Sequence, residues 1–522
     1  MILGLEKDED KQNSKLVSQL PHNIVANISY FLVSVAIGFL LVPYFINTLG
    51  VAAYGIIPLA TSIAGYVAIV VQSLNTAISR FLTVDLQSRD YEAANKTFNT
   101  AFFGLSAVIL SMIPIVITVA WFTPSIFNVP AGQESGVFFL FLGVIFSLLI
   151  RSWNGNFTVQ LFAYNRLDLQ NLVEITNILV QVGMIILLFI LFGPNLALVG
   201  VAFLVGAIFA SGLSIVLARK VCPYLNVSIH GFDYKRVKNL CGMGWWVVIS
   251  QIGNLLLIQT DLIVINILFG AMLGGEYAIA LQLAIFLRAV AEILSGVLTP
   301  TILSYYAQKK TDNLIKISKS AVKLTGLIMA LPIGLVCGLA TQLITVWVGE
   351  EFTFLWPLIV LLTIPLSVNL AALPLFSINV AYNKVRVPGI VSFFIGIGNF
   401  ALAIIIPLLT GWGYYGVAIV GVIFFTLRNT IFTPWYATKL LGINAYTLTH
   451  LMLPGIIATL LIGTTAATLG ILLPFTAIFT LAVVSIAIAI IFFVAVWTFC
   501  LNRFERELFA SYLPHAIRRI FT

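Results

Sequence analysis

Charge is scarce in this chain. Asp, Glu, Lys and Arg make up 9% of its 522 residues, whereas 60% are hydrophobic and the mean hydropathy is +1.07. A soluble globular domain carries roughly 25% charged residues, so that class is excluded. Cysteine is sparse as well. Cys222, Cys241, Cys337 and Cys500 are scattered, with neither the pairing density of a disulfide framework nor the spacing of a metal site. The first twenty residues mix both charge signs and lack an apolar run before a small-residue cleavage site, so no signal peptide is expected. Also missing are a Gly-rich phosphate loop, a nucleophile set and any cluster of metal-ligating side chains, and no cofactor is expected.

What the chain does have is apolar length. Runs of roughly 20 apolar residues predict about fourteen membrane-spanning helices joined mostly by short connections. They start near residues 22, 54, 96, 135, 168, 196, 237, 274, 316, 356, 386, 414, 447 and 476. Of the 27 Lys and Arg, five (Arg80, Arg151, Arg288, Lys323 and Arg428) fall inside these spans. The others all fall on one side of the ladder, while Glu134, Glu350 and Glu351 occupy the opposite loops. The positive-inside rule then places both termini in the cytoplasm. The net charge of +8 reads as this topogenic signal together with attraction to anionic lipid, and no nucleic-acid partner is expected.

The sequence also repeats itself. Ile46-Asn47-Thr48-Leu49-Gly50 followed by Tyr54-Gly55-Ile56 recurs as Ile265-Asn266-Ile267-Leu268-Phe269-Gly270 followed by Tyr277-Ala278-Ile279. Asn95 and Pro114 recur with the same spacing as Asn313 and Pro332. An even number of spans per copy sends both into the membrane in the same sense, the parallel-repeat design of some transporters. The expected fold is an all-α membrane protein of two six-helix lobes plus a C-terminal helix pair. Its segments are a cytoplasmic N-terminal stretch at 1–20, an N-lobe at 21–221, a basic linker at 222–236 and a C-lobe at 237–442. The helix pair follows at 447–500, then an amphipathic interfacial tail at 501–522, in which Phe504, Leu508, Phe509 and Ile517 face the bilayer and Arg503, Arg506, Arg518 and Arg519 the lipid phosphates. Between Lys439 and Arg503 no charged residue occurs, so the helix pair reads as membrane filler or as a dock for a lipid tail, filler being favoured.

The segment Leu49-Gly50…Tyr54-Gly55 through Asn75-Thr76-Ala77…Arg80-Phe81 resembles the start of polysaccharide-biosynthesis flippases. These are the Wzx-type O-antigen and exopolysaccharide repeat-unit translocators of the multidrug/oligosaccharidyl-lipid/polysaccharide (MOP) exporter superfamily. Pro300 followed by Lys309-Lys310-Thr311-Asp312 is similar to that family's loop after helix eight, and Trp347-Val348-Gly349-Glu350-Glu351-Phe352 resembles its outer-loop signature. The resemblance implies two six-helix lobes around a central cavity, alternating access, a lipid-linked oligosaccharide as substrate, and a prokaryotic cytoplasmic membrane. A cation-coupled drug or metabolite exporter of the same fold is the alternative. A membrane enzyme acting on the same lipid would need extracytoplasmic acids that the short outer loops do not supply.

Charges at bilayer depth carry the functional expectation, because each costs roughly 2.5–3.5 kcal/mol on insertion scales and must face protein or water. Arg288 and Arg428, with Arg151 and Arg80, are the candidates for binding an anionic head group, since guanidinium offers paired donors to phosphate oxygens. Asp261, Glu292 and Glu174, read as buried carboxylates, are candidates for coupling to H+ or Na+ or for pairing with the arginines; Glu292 lies four residues from Arg288. Lys323 is expected to snorkel. Amides and rings such as Tyr30, Asn75, Asn154, Asn369 and Asn379 suit sugar contacts and helix packing alike.

Overall fold

The computed structural model describes residues 2–88, 90–472 and 478–506, with only the backbone course given for 2–18, 20, 21, 24, 238–247 and 478. In hydrocarbon a backbone without water must satisfy its own polar groups, and apolar runs of this length do so as helices. Among the described residues every regular element is helical. The first half comprises α1 (Ile2–Leu49), α2 (Val51–Gln87), α3 (Tyr91–Ile126), α4 (Glu134–Ala163), α5 (Leu167–Phe192) and α6 (Leu196–Val221). There follow α7 (Tyr234–Ile258), α8 (Thr260–Phe269), α9 (Ala271–Ala307), α10 (Thr311–Gly338), α11 (Ala340–Trp347), α12 (Trp356–Thr363), α13 (Leu366–Asn369) and α14 (Leu375–Ala381). The chain continues through α15 (Arg386–Thr410), α16 (Tyr414–Leu427), α17 (Thr433–Leu441), α18 (Thr447–His450), α19 (Leu453–Leu472) and α20 (Ile478–Ala495). Among the described residues thirteen helical stretches are long and apolar enough to cross a membrane, or fourteen when α7 and α8, bent by 47° at their junction, are counted as one span.

The repeat is visible in the backbone. Gly50 (φ +87°) ends the first span and Gly270 (φ +93°) the seventh, each in a conformation that L side chains rarely adopt. Each glycine is followed by a 37-residue helix, α2 and α9.

By packing, the chain divides into two compact units, Met1–Leu255 with Ile265–Gly275, and Leu256–Val264 with Glu276–Thr522. In the first, small residues let helices approach closely. Gly143 of α4 lies directly against the Gly200 backbone of α6, and a Cβ on Gly206 would stand 2.9 Å from the Asn177 carbonyl of α5. Amides lock neighbouring helices together: Asn75 Nδ2 donates to the Ser152 carbonyl at 2.5 Å, Ser214 bonds Asn154, and Asn23 and Asn27 of α1 bond Asn165 and Asn171 at the α5 end. The segment 222–236 is strapped to α3. Asn95 and Asn99 each donate to and accept from its backbone, at Tyr224, Asn226 and Ser228, and Arg236 bonds Asp85 at 2.7 Å and Thr97.

In the second unit α19 does not face outward all round. It packs along α10, where a Cβ on Gly455 would stand 2.8 Å from Gly326, one on Gly334 would stand 2.7 Å from Ile462, and Gly338 abuts Gly463. A helix without charge can hide one face as well as expose it, which composition alone does not reveal. Nor does Lys323 snorkel to water. Its ammonium donates to the Cys500 carbonyl at 2.6 Å and to Glu505 at 2.8 Å, and Glu505 is 3% exposed. Glu505 also accepts from the Asn502 amide, so the pair fastens the chain that leaves α20. Of the expected interfacial tail, Leu508, Phe509, Ile517, Arg518 and Arg519 lie outside the described residues.

Breaking such a buried pair from one side strands the other charge, at a cost of about 3–5 kcal/mol, whereas apolar replacement of both is often neutral. Lys323→Met is therefore expected to lower the melting temperature in detergent markedly, and Lys323→Met/Glu505→Met to restore most of it. Equal melting of the single variant and the parent would remove the pair from the account.

Candidate functional site

In the first unit the arginine is already answered. Arg151 of α4 bonds Glu174 of α5 at 2.5 Å, and Tyr30 of α1 lies within the field of both. Glu174 is not buried: its side chain keeps 29% of its surface beside the half-exposed arginine it pairs with, although Asn171 and Asn177 on the same face are covered. Arg80 is exposed, its guanidinium 5.9 Å from the Phe81 ring centre.

The second unit holds a different cluster. Asp261 follows the break between α7 and α8, where the bend brings its side chain inside the unit at 8% exposure. The fully buried Tyr277 of α9 donates its hydroxyl to Asp261 Oδ2 at 2.7 Å. Gly421 of α16 makes room, since a Cβ there would stand 3.0 Å from the same oxygen. The other carboxylate oxygen, Oδ1, is buried and has no hydrogen-bond partner among the described residues.

Arg288 lies about three turns along α9 from Tyr277. Asp261, Tyr277 and Glu292 are the ionisable groups whose fields reach it. Its guanidinium lies 5.0 Å from the Phe425 ring centre of α16, and its Nε is buried with no hydrogen-bond partner among the described residues. No ion pair joins Arg288 to Glu292, which is exposed; four-residue spacing brings two side chains near one another, but here the arginine turns toward the ring. Of the three carboxylates expected at depth, Asp261 alone is buried.

Arg428 comes one turn after Phe425 and opens a π-helical turn, Arg428–Phe432, ahead of Pro434. Proline has no N–H to give the preceding turn, and wide turns of this kind recur at functional sites. The Arg428 side chain is 6% exposed and lies 5.3 Å from the Phe376 ring centre of α14. Close by, the tenth span is broken: Pro365 precedes α13 and Pro374 precedes α14. Asn369 at the break donates to Thr426 at 3.1 Å, while the side-chain oxygens of Asn369, Asn379 and Asn429 are buried without partners among the described residues. Discontinuous helices often build transporter binding sites, because interrupted turns free polar groups. The sequence reading missed this break, although Pro365 and Pro374 inside an apolar run were the signal for it.

The chain matches the family described as "Polysaccharide biosynthesis protein" over residues 21–306. It is 32% identical over 419 residues to the "Uncharacterized membrane protein EpsK" of Bacillus subtilis (strain 168), covering 80% of this chain and 82% of that protein. Among solved structures, the lipid II flippase MurJ in an inward closed conformation aligns with a TM-score of 0.59 at 16% identity, over 93% of this chain and 99% of MurJ. An inward-facing multidrug resistance MATE family transporter of the MOP superfamily aligns with a TM-score of 0.60 at 14% identity, over 80% and 98% of the two chains. Likenesses at that identity establish the fold alone. By the family match and the relative together, this chain is a multi-pass membrane protein of the polysaccharide-biosynthesis family, built on the fold of the MOP superfamily.

Proposed function

We propose that the protein is a flippase. It moves a polyprenyl-diphosphate-linked oligosaccharide repeat unit across the cytoplasmic membrane of a prokaryote by alternating access, with both termini cytoplasmic. Arg288 is the observation that carries this reading. A guanidinium held at depth in an apolar span, set over a ring and with Nε lacking an acceptor among the described residues, suits a diphosphate oxygen. Arg428, one turn from the Phe425 ring and beside the broken tenth span, supports Arg288 with a second cation. Arg151 is a weaker ligand because Glu174 already neutralises it, and Arg80, exposed beside Phe81, completes the proposed set.

A second reading rests on Asp261. Its orphaned Oδ1 suits a proton or a Na+ ion, as a cation-coupled exporter of drugs or metabolites would require. The two readings part in a reconstituted system. In liposomes, the purified protein is expected to expose a tagged short-chain prenyl-diphosphate disaccharide to an impermeant quencher at least about tenfold faster than vesicles without protein. Proteoliposomes that leave this lipid in place but drive a lipophilic cation across under a proton or sodium gradient would overturn the flippase reading in favour of the exporter.

A further inference from the structure

The second unit carries a cavity that the transport reading does not use. It opens where α9 ends, α10 begins and α14 ends, with a volume of about 440 Å3, inside the range of roughly 300–1,000 Å3 typical of small-ligand pockets. Tyr305, Tyr306, Tyr382, Lys309 and Thr311 line it, with Leu314 at its base. Leu314 belongs to a buried core that includes Ile302, Ile317 and Leu375, and the half-buried Tyr305 and Tyr382 pack against that core, which backs the wall. Tyr306 and Tyr382 lie 4.7 Å apart, ring centre to ring centre, and Tyr306 keeps 39% of its surface exposed.

Lys309 reaches this wall from an unusual backbone. Its φ is +56°, left-handed, where a turn closing α9 would take glycine or asparagine at less cost. The turn is held by the Lys309 amide donating to the Tyr306 carbonyl and the Lys310 amide to the Tyr305 carbonyl, both at 3.0 Å. Such an outlier points toward function when it aims a side chain at a cavity. In the chain beside the lining residues, Lys310, Asp312 and Lys384 are exposed.

The geometry points to a glycosyl phosphate as the ligand of this cavity. Tyrosine faces stack on the C–H face of a sugar ring, the phenols and the Thr311 hydroxyl reach its hydroxyls, and Lys309 meets the phosphate. A cationic ligand is disfavoured because lysine stands in the lining. The loop joins two spans at the membrane surface, so the phosphate could be borne by a lipid or by a soluble nucleotide. The lipid-borne source rests on the transport reading above; the site itself does not.

The experiment measures binding of glucose 1-phosphate to full-length purified protein in nanodiscs by calorimetry. An Arg288→Gln background is used so that the proposed diphosphate site contributes little. Glucose 1-phosphate is expected to bind at least about tenfold more tightly than glucose or inorganic phosphate, a gap of two cooperating contacts. Tyr306→Ala and Lys309→Gln should each weaken it about tenfold or more, whereas Tyr306→Phe and Lys309→Arg should stay within about threefold. Both side chains are exposed, and unchanged melting temperatures would show that the variants fold. Tighter binding of a short-chain prenyl-diphosphate glucose than of UDP-glucose assigns the lipid source, and the reverse order the soluble one. No binding, or binding that neither Tyr306→Ala nor Lys309→Gln weakens, overturns the proposal. Translocation of the tagged lipid in liposomes is read separately, so failure of one idea does not imply failure of the other.

Discussion

Gly275→Val is expected to abolish accumulation of folded protein, and Gly55→Val to come close. Each glycine lies five residues past a left-handed glycine that ends a span, Gly50 and Gly270. They also pack on one another: a Cβ built on Gly55 would stand 2.6 Å from the Gly275 backbone, and one on Gly275 would run into the Val51 carbonyl. The obstructing atoms are backbone atoms of a helix, which cannot rotate aside as a side-chain tip can. Overpacking inside a packed core costs about 1–3 kcal/mol and occasionally more, and a β-branched residue against a helix backbone belongs at the upper end. Gly183 of α5 provides the control, because a Cβ there meets nothing within 4 Å. Gly183→Ala should leave the protein unchanged, or stabilise it by up to about 1 kcal/mol through lower chain entropy. Fluorescence-detected size-exclusion of detergent extracts reads all three. A monodisperse Gly275→Val peak with the parent's melting temperature would show that the helices part more readily than this packing implies.

The spans were legible because hydrocarbon imposes one solution on an apolar run. The starts expected near 168, 196, 386, 414 and 447 fall within a residue of α5, α6, α15, α16 and α18. The internal repeat was legible for a related reason, since Gly50 and Gly270 must stay glycine for their left-handed turns. Partners were much less legible. Spacing suggested Glu292 for Arg288, yet the arginine turned to Phe425, and the carboxylate nearest in chemistry, Asp261, came from another helix. Lys323 found Glu505 from 182 positions away, a pairing no local pattern encodes. Burial of Glu174 was misread for the same reason, because periodicity says that a face exists without saying what covers it. The π turn at Arg428 needed the combination of Pro434 and the broken tenth span, each visible in sequence but meaningful only once α13, α14 and α16 are side by side.

Arg288→Gln is expected to cut export of the lipid-linked oligosaccharide at least about tenfold while the protein still folds. The side chain is partly exposed and stacks on Phe425 without an ion pair, so a neutral amide of similar length fits the space and removes only the cation and its fork. Arg288→Lys should recover part of the activity, because lysine restores the charge and lacks the planar two-point donor that a diphosphate engages. Arg428→Gln should behave differently. This residue is 6% exposed and packed over Phe376, so its loss should reduce melting temperature as well as transport, by up to about 2 kcal/mol for a desolvated cation–π contact. Asp261→Asn separates the readings, since it keeps an acceptor for the Tyr277 hydroxyl but cannot exchange a proton or hold a cation by charge. On the flippase reading it should reduce lipid export less than Arg288→Gln does; on the exporter reading neither variant changes lipid movement, and Asp261→Asn instead abolishes gradient-driven transport of the lipophilic cation. Accumulation of the lipid-linked saccharide on the cytoplasmic leaflet, normalised to folded protein, measures each variant. Undiminished export by Arg288→Gln/Arg428→Gln would show that neither guanidinium meets the diphosphate, and the anionic substrate would lose its strongest support.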